Sequence, residues 1–291
     1  MKLFRGPKRL TFGDYLITGL LLLFALFILF PIWYVLTVSL VNQTTFIQVG
    51  LLWYPVGATL ENYFHIAQWQ SLRTGMWTST LVAVGGTFYT LALNVSFAYG
   101  LLRPIPGRKI LWTLLIIPMF FGGGLLPYFL MMINLGMMNN RLALVLPFGL
   151  GVFNVFLLQS YMRTLSPEYE ESARLDGASE LMVLVRIVLP LCKPILATLA
   201  LFAAVGGWNR WFEGTLFLQR QELWPLQQVL RNILENAQIA LPDLPHEARN
   251  VAFAVGLQMA AVILTMIPIV CVYPFLQKYF VKGITLGGVK G

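Results

Sequence analysis

Groups that could perform catalysis are few in this chain and stand far apart. The two histidines, His65 and His246, are isolated, and we find no nucleophile placed beside a base. The two cysteines, Cys192 and Cys271, exclude a disulfide framework and show no paired metal-ligand spacing. No G-x-x-x-x-G-K-S/T sequence occurs that could cradle the phosphates of ATP. The sequence therefore predicts a protein that is not an enzyme and that holds no metal or cofactor of its own.

The densest polar stretch, 166–180, offers the chemistry of helix ends and charge pairs. Its first turn is rich in glutamates, which favour the positive end of a helix dipole. Glu170 and Arg174 stand four residues apart, a spacing that supports an exposed helix. Gly177 is placed to end this helix in the left-handed conformation, and Ser179 can cap the next one. The stretch predicts a short helix, a tight turn and a second helix at a membrane surface.

Composition identifies the kind of protein that carries this stretch. The chain has 291 residues, of which 58% are apolar and 11% charged, with a mean hydropathy of +0.73. Soluble domains carry about a quarter charged residues, so this chain cannot cover a water-soluble surface. A soluble enzyme and a disordered protein are both excluded. The fold class predicted is an all-α polytopic membrane protein.

Uncharged runs long enough to cross a bilayer predict about six transmembrane helices. Most of the 20 lysines and arginines lie before the first predicted helix or after the second, fourth and sixth, which are positions on one side of the membrane. Because lysine and arginine concentrate on the cytoplasmic side, we predict that both termini are cytoplasmic. Gly122 to Gly124 should break or bend the third helix. We predict a single domain over 1–291, with a cytoplasmic loop at 162–190 and helices at 15–41, 76–102, 110–135, 142–161, 189–212 and 251–277.

The cytoplasmic loop resembles a known family signature. Glu171-Ser172-Ala173, three residues, Gly177, nine residues and then Ile187-Val188-Leu189-Pro190 is similar to the EAA loop of bacterial ABC importer permeases. Serine replaces the first alanine of that loop, a small-for-small change. The stretches 122–130, 208–212, 223–231 and 279–291 resemble the carbohydrate-uptake, maltose-type permeases, and within them the oligosaccharide and alginate-like group.

The resemblance implies a type I ABC importer permease, a multi-pass protein of the bacterial inner membrane. It implies a second homologous permease subunit in a heterodimer, two ATPase subunits that bind ATP and Mg, a solute-binding protein and an oligosaccharide, with no nucleic acid as partner. The residues expected to couple the permease to the ATPase are Glu170, Glu171, Ser172, Ala173, Asp176 and Gly177.

Polar and aromatic side chains inside the apolar segments are candidates for the substrate path. They are costly at membrane depth, and sugars bind to hydrogen-bonding groups and aromatic rings. The alternative is a hydrogen bond between helices, favoured for Asn94, or, for tryptophan, a place in the interfacial belt. Arg210 and Glu213 stand at i,i+3 and should pair. The path candidates are Asn154, Trp208, Asn209, Trp211 and Gln258.

The outside segment 219–250 is the predicted docking site for the binding protein, on the likeness to maltose-type importers. Its candidate contacts are Trp224, Gln227 and Arg231. The alternative is an amphipathic helix that lies on the bilayer.

Two other function classes stay open on sequence grounds. An ion-coupled transporter would carry ionisable residues within its spans and internal repeats, which are nearly absent here. An intramembrane enzyme would need catalytic clusters at membrane depth. The sequence does not identify the saccharide, nor whether it is acidic.

Overall fold

The computed structural model describes residues 11–42, 45–46, 48, 53–235 and 251–287, with backbone alone for 251–254, 273 and 275–287. Every regular element within these residues is helical. The α-helices are α1 Phe12–Ser39, α2 Glu61–Ala67, α3 Gln70–Gly100, α4 Arg108–Phe120, α5 Leu125–Asn134, α6 Val152–Met162, α7 Glu168–Leu175, α8 Glu180–Leu191, α9 Lys193–Trp208, α10 Phe212–Phe217, α11 Leu226–Glu235 and α12 Val251–Gly287. Leu184–Val188 within α8 is a π-helical turn.

Three of the described helical segments are long and apolar enough to cross a membrane unaided: Phe12–Ser39, Gln70–Gly100 and Val255–Val272. Two further segments qualify as bent pairs. The 3-10 turns of Arg141–Phe148 meet α6 at 48°, and α8 meets α9 at 82°. The described part of the chain thus has three to five such segments, by length and composition.

The observed helix ends differ from the predicted ones where glycine and proline interrupt the pattern. The predicted helix 110–135 is two helices, α4 and α5, because the chain leaves helical geometry at Gly122 to Gly124, as the glycines indicated. The predicted helix 142–161 starts in 3-10 turns around Pro147 and becomes α-helical only at Val152. In this segment, therefore, the long apolar run overestimated the length of regular helix.

The predicted helix 189–212 is also shorter than expected. It starts after the bend at Cys192, and Pro194 occupies its first turn, where the missing N–H costs no hydrogen bond. It ends at Trp208, so Arg210 and Glu213 lie outside it. The other predicted helices, 15–41, 76–102 and 251–277, are observed as helices with shifted ends, at α1, α3 and α12.

The chain divides into two compact units. The first takes in 1–68 and 236–264, and in its described part the end of α1 packs against α12 through Val38, Val41 and Val255. The side chain of Asn62 donates hydrogen bonds of 3.0 Å to the carbonyls of Ser39 and Val41. These bonds use carbonyls at the C-terminal end of α1, which have no partner within the helix.

The second unit takes in 69–235 and 265–291, and α3 is its central helix. A Cβ on Gly207 of α9 would lie 3.1 Å from the Cα of Ala83, so the two helices cross at backbone contact distance. The side chain of Asn94 donates to the carbonyl of Gly149 at 2.8 Å and accepts from the N–H of Gly151 at 3.0 Å. Asn94 therefore supplies hydrogen-bond partners to backbone groups in the non-helical segment before α6. This agrees with the structural hydrogen bond that was favoured for Asn94 over a role in the substrate path.

Candidate functional site

The turn between α7 and α8 has the geometry that its sequence indicates. Gly177 has φ +82°, and the N–H of Ala178 donates to the carbonyl of Ala173 at 2.9 Å. The N–H of Gly177 donates to the carbonyl of Arg174 at 3.0 Å. These two bonds form a Schellman motif, which ends a helix sharply and satisfies its last carbonyls. Ser179 then accepts from the N–H of Met182, so the predicted cap is confirmed.

Two arginines and two glutamates hold this helix pair together and join it to α3. Arg103 Nη2 lies 2.5 Å from Glu170 Oε2, and Arg103 Nε lies 3.3 Å from Glu180 Oε2. Arg174 lies 2.8 Å from Glu170 and 2.9 Å from Glu180. Each charge therefore touches two opposite charges, and the predicted pair of Glu170 with Arg174 is confirmed. We call Tyr99, Arg103, Glu170, Arg174 and Glu180 the brace.

Tyr99 completes the brace from the last turn of α3. Its hydroxyl donates to Glu180 Oε2 at 2.7 Å and accepts from Arg103 Nη2 at 2.5 Å, and the guanidinium lies 4.3 Å from its ring centroid. The Tyr99 hydroxyl and the Arg174 guanidinium lower the pKa of Glu180, because both bind its charged form. The Glu180 carboxylate therefore stays ionised at neutral pH and keeps α8 tied to α3.

The opposite side of the helix pair is exposed. Ala173 and Ala178 pack against the main apolar core of the second unit, while Leu175 is 89% exposed and Leu181 70% exposed. We call the outward residues Glu171, Ser172, Leu175, Asp176 and Leu181 the loop face. It combines exposed leucines with carboxylates, a composition suited to contact with a protein.

The structure separates the predicted coupling residues into two groups. Glu171, Ser172, Asp176 and Gly177 are exposed, whereas Glu170 is occupied by the brace and Ala173 packs inward. The sequence reasoning missed Tyr99, Arg103 and Glu180 as a group. The i,i+4 spacing of Tyr99 and Arg103 was visible, but their pairing with residues more than sixty positions away was not.

A second site is a cavity of about 140 Å³ enclosed by α3, the turns before α6, α6 and α9. Its polar groups come from Thr90, Asn154 and Arg210, and its rings from Phe148 and Phe202. Asn154 is therefore the one predicted path residue that lines it. The Arg210 guanidinium lies 3.4 Å from the centroid of the Phe148 ring.

The remaining predicted path residues lie elsewhere. Trp208 is 6% exposed, and its indole N–H donates to the carbonyl of Thr265 at 3.2 Å, which indicates a packing role. Asn209 accepts from Gln227 at 3.3 Å, and Trp211 lies exposed under the guanidinium of Arg231. Gln258 is half-buried in the first unit.

Within the predicted docking segment 219–250, residues 236–250 lie outside the described part of the chain. The indole N–H of Trp224 donates to the carbonyl of Leu218 at 2.7 Å, and Arg231 pairs with Glu235 at 2.6 Å. The apolar face of α11 is covered by α3, since the N–H of Leu226 donates to Ser79 Oγ at 2.8 Å and both Leu226 and Val229 are buried. This packing disfavours a helix that lies on the bilayer.

The family described as "Binding-protein-dependent transport system inner membrane component" matches residues 107–286. Protein LplC of Bacillus subtilis (strain 168) is 36% identical over 90% of this chain and 89% of its own length. The polygalacturonan/rhamnogalacturonan transport system permease protein YtcP of the same organism is 33% identical over 96% of this chain and 98% of its own.

One solved structure is similar throughout. It is a chain from the crystal structure of a bacterial ABC transporter involved in the import of the acidic polysaccharide alginate, with a TM-score of 0.84 and 29% identity. The match covers 94% of this chain and 100% of that one. This chain therefore shares its fold with a chain of a bacterial ABC transporter.

Proposed function

Because the chain belongs to the family of binding-protein-dependent transport system inner membrane components, we propose that it is the permease subunit of an ATP-binding-cassette importer for oligosaccharides or polysaccharide fragments. This substrate class is supported by what similar proteins transport. One is a permease for polygalacturonan and rhamnogalacturonan, and the similar structure comes from an importer of alginate. The chain is a component of the bacterial inner membrane, as its family description states.

The loop at 162–190 couples the motion of a separate ATPase to this permease. The observation that carries this proposal is the brace, which fastens α7 and α8 to the end of α3 while leaving the loop face exposed. A partner that pulls on the loop face therefore moves α3 as well as α8 and α9. Alternating access then requires that the ATPase contacts differ in strength between the inward- and outward-facing states.

The membrane topology that fits this function has six spans and both termini in the cytoplasm. The spans are α1, α3, the broken pair α4 and α5, the bent segment that ends in α6, α9 and α12, while α8 lies at the cytoplasmic surface before the bend into α9. In this topology the basic residues after α3 and α6 lie on the cytoplasmic side, where lysine and arginine are usually concentrated.

The partners follow from the same proposal. A second, homologous permease subunit completes the path in a heterodimer, and two ATPase subunits bind ATP and Mg. A solute-binding protein docks on the outside at 219–235 and beyond, with Trp224, Gln227 and Arg231 as candidate contacts. Arg231 is the most exposed of the three, since 44% of its side chain is accessible while Trp224 and Gln227 are half-buried.

Replacement of Leu175 by lysine tests the coupling role. Leu175 is 89% exposed, so the substitution should not affect folding. In proteoliposomes that contain the whole importer, its binding protein and an ionophore, we expect ATP-driven sugar uptake to fall at least about tenfold.

Leu60→Lys provides the matched control, since Leu60 is 55% exposed in the first unit. It should leave uptake unchanged. Full uptake by Leu175→Lys would contradict the coupling role, and uptake that collapses with the ion gradient would favour an ion-coupled transporter.

A further inference from the structure

The cavity of the second unit contains a single charged side chain among the residues that line it. That residue is Arg210, which follows the end of α9. Its other polar lining comes from the hydroxyl of Thr90 and the amide of Asn154. A cation in an otherwise neutral pocket gives that pocket a preference for anions.

Within the described residues, Arg210 forms no ion pair within 4.0 Å, although Glu213 and Tyr128 are near enough to interact with it electrostatically. The guanidinium lies over the Phe148 ring. Its Nη1 is buried and has no hydrogen-bond partner among these residues. The expected pair of Arg210 with Glu213 is therefore wrong, because the chain leaves helical geometry at Asn209 and so breaks the i,i+3 relation.

The contacts of the Arg210 guanidinium do not fully offset the free-energy cost of burying its charge. A cation–π contact offsets only part of the cost of removing a charge from water. The planar group still offers N–H donors in the fork geometry that matches a carboxylate. An anion that enters the cavity would gain both the charge and the unsatisfied donor.

Two glycines provide space beside this donor. Gly86 and Gly206 line the cavity without side chains, and a Cβ built on Gly206 would meet nothing within 4 Å. Asn154 also lines the cavity, and its amide can donate and accept hydrogen bonds, as hydroxyl groups require. The pocket thus combines one carboxylate-binding group with one hydroxyl-binding group.

We propose that this cavity binds a uronate unit of the transported oligosaccharide, with Arg210 pairing with its carboxylate and Asn154 binding its hydroxyls. This proposal rests on the proposed function and adds the chemical class of the substrate. Arg210 acts as a selectivity residue, which discriminates a charged sugar from a neutral one of the same size.

The test compares an oligogalacturonate with its methyl ester, because the ester keeps the sugar chain and removes the charge. Binding of each is measured on the purified importer, without its binding protein, in vesicles of zwitterionic lipid, which removes anionic headgroups as competing ligands. We expect Arg210→Gln to weaken oligogalacturonate binding at least about tenfold and to change binding of the ester little. Arg210→Lys should retain part of the affinity, since it keeps the charge but not the fork.

Gly206→Ala supplies a second measurement that does not alter charge. The new methyl group meets no neighbouring atom, so the variant should fold. Because Gly206 lines the cavity, the methyl group reduces the space for the sugar, and the affinity for oligogalacturonate should fall. Gly85→Ala is its control, because Gly85 also has open space around its Cβ and does not line the cavity.

The outcomes separate this inference from the proposed function. Equal losses for acid and ester in Arg210→Gln, no loss for either, or binding of neutral sugars alone would each overturn the role of Arg210 and leave the sugar importer standing. An importer that binds and transports no saccharide in either form would overturn both.

Discussion

At the level of single residues, the proposed coupling depends on five side chains that meet at one end of α3. Arg103 and Arg174 alternate with Glu170 and Glu180, and Tyr99 bridges two of these groups. Isolated surface ion pairs contribute about 0–1 kcal/mol, but Arg103 and Glu170 are 27% and 24% exposed and belong to a network. Removing one member should therefore loosen the attachment of α7 and α8 to α3 more than the loss of an isolated surface pair would.

Reversing the charge of Arg103 tests the brace. Arg103→Glu places a third carboxylate beside Glu170 and Glu180, so ATPase stimulation by loaded binding protein should fall about tenfold. The double variant Arg103→Glu with Glu170→Arg restores that pair and should recover part of the loss, as a double-mutant cycle would report. Additive losses in the double variant would mean that these two residues do not act together.

Lowering the pH tests Tyr99. The pKa of Glu180 lies below its ordinary value of 4.5, so the stabilisation by its carboxylate is present above that value and is lost as the pH falls through the lowered pKa. Tyr99→Phe removes the largest cause of this shift, and the loss should then begin at a higher pH. The hydrogen-exchange rates of the α7 and α8 amides, measured as a function of pH, report this loss. Tyr54→Phe is the control, because Tyr54 is 66% exposed and lies in the first unit. Identical acid limbs for Tyr99→Phe and the unmodified protein would exclude this role.

At the scale of the element, the tight turn at Gly177 sets the angle between α7 and α8. Its positive φ is required by the Schellman bonds to Ala173 and Arg174. Those bonds direct Ala173 and Ala178 to the core and the loop face outward. A change in this turn alters the loop face without removing any of its side chains.

Gly177→Ala should disturb coupling through backbone strain alone. A Cβ at Gly177 meets nothing within 4 Å, so the cost is that of a left-handed conformation, roughly 1–2 kcal/mol. Gly136→Ala is the matched control, since Gly136 has φ +67° and equally open space. Both variants should lose similar thermal stability, but only Gly177→Ala should lower ATP-driven uptake. Equal uptake by the two variants would show that the turn has no special role.

Across the whole molecule, the features that could be predicted from the sequence are those set by composition and by the spacing of neighbouring residues. Low charge and long apolar runs predicted a helical membrane protein, and the spacing from Glu170 to Ser179 predicted the helix, turn and helix that are observed. Contacts between distant segments could not be predicted in this way. The brace joins Arg103 to Glu170 and Glu180, and the orientation of Arg210 depends on where α9 ends. Helix ends inside apolar runs were uncertain because hydrophobicity does not distinguish a continuous helix from two bent ones.

The contact that we propose between a separate ATPase and the loop face can be measured directly. A photo-crosslinking residue replaces Leu175, whose side chain is 89% exposed, in the whole importer assembled in membranes. We predict an adduct with the ATPase subunit whose yield changes between the ATP-bound and nucleotide-free states, while the same residue at position 60 gives none. No ATPase adduct from position 175, or an adduct with the solute-binding protein instead, would contradict the account.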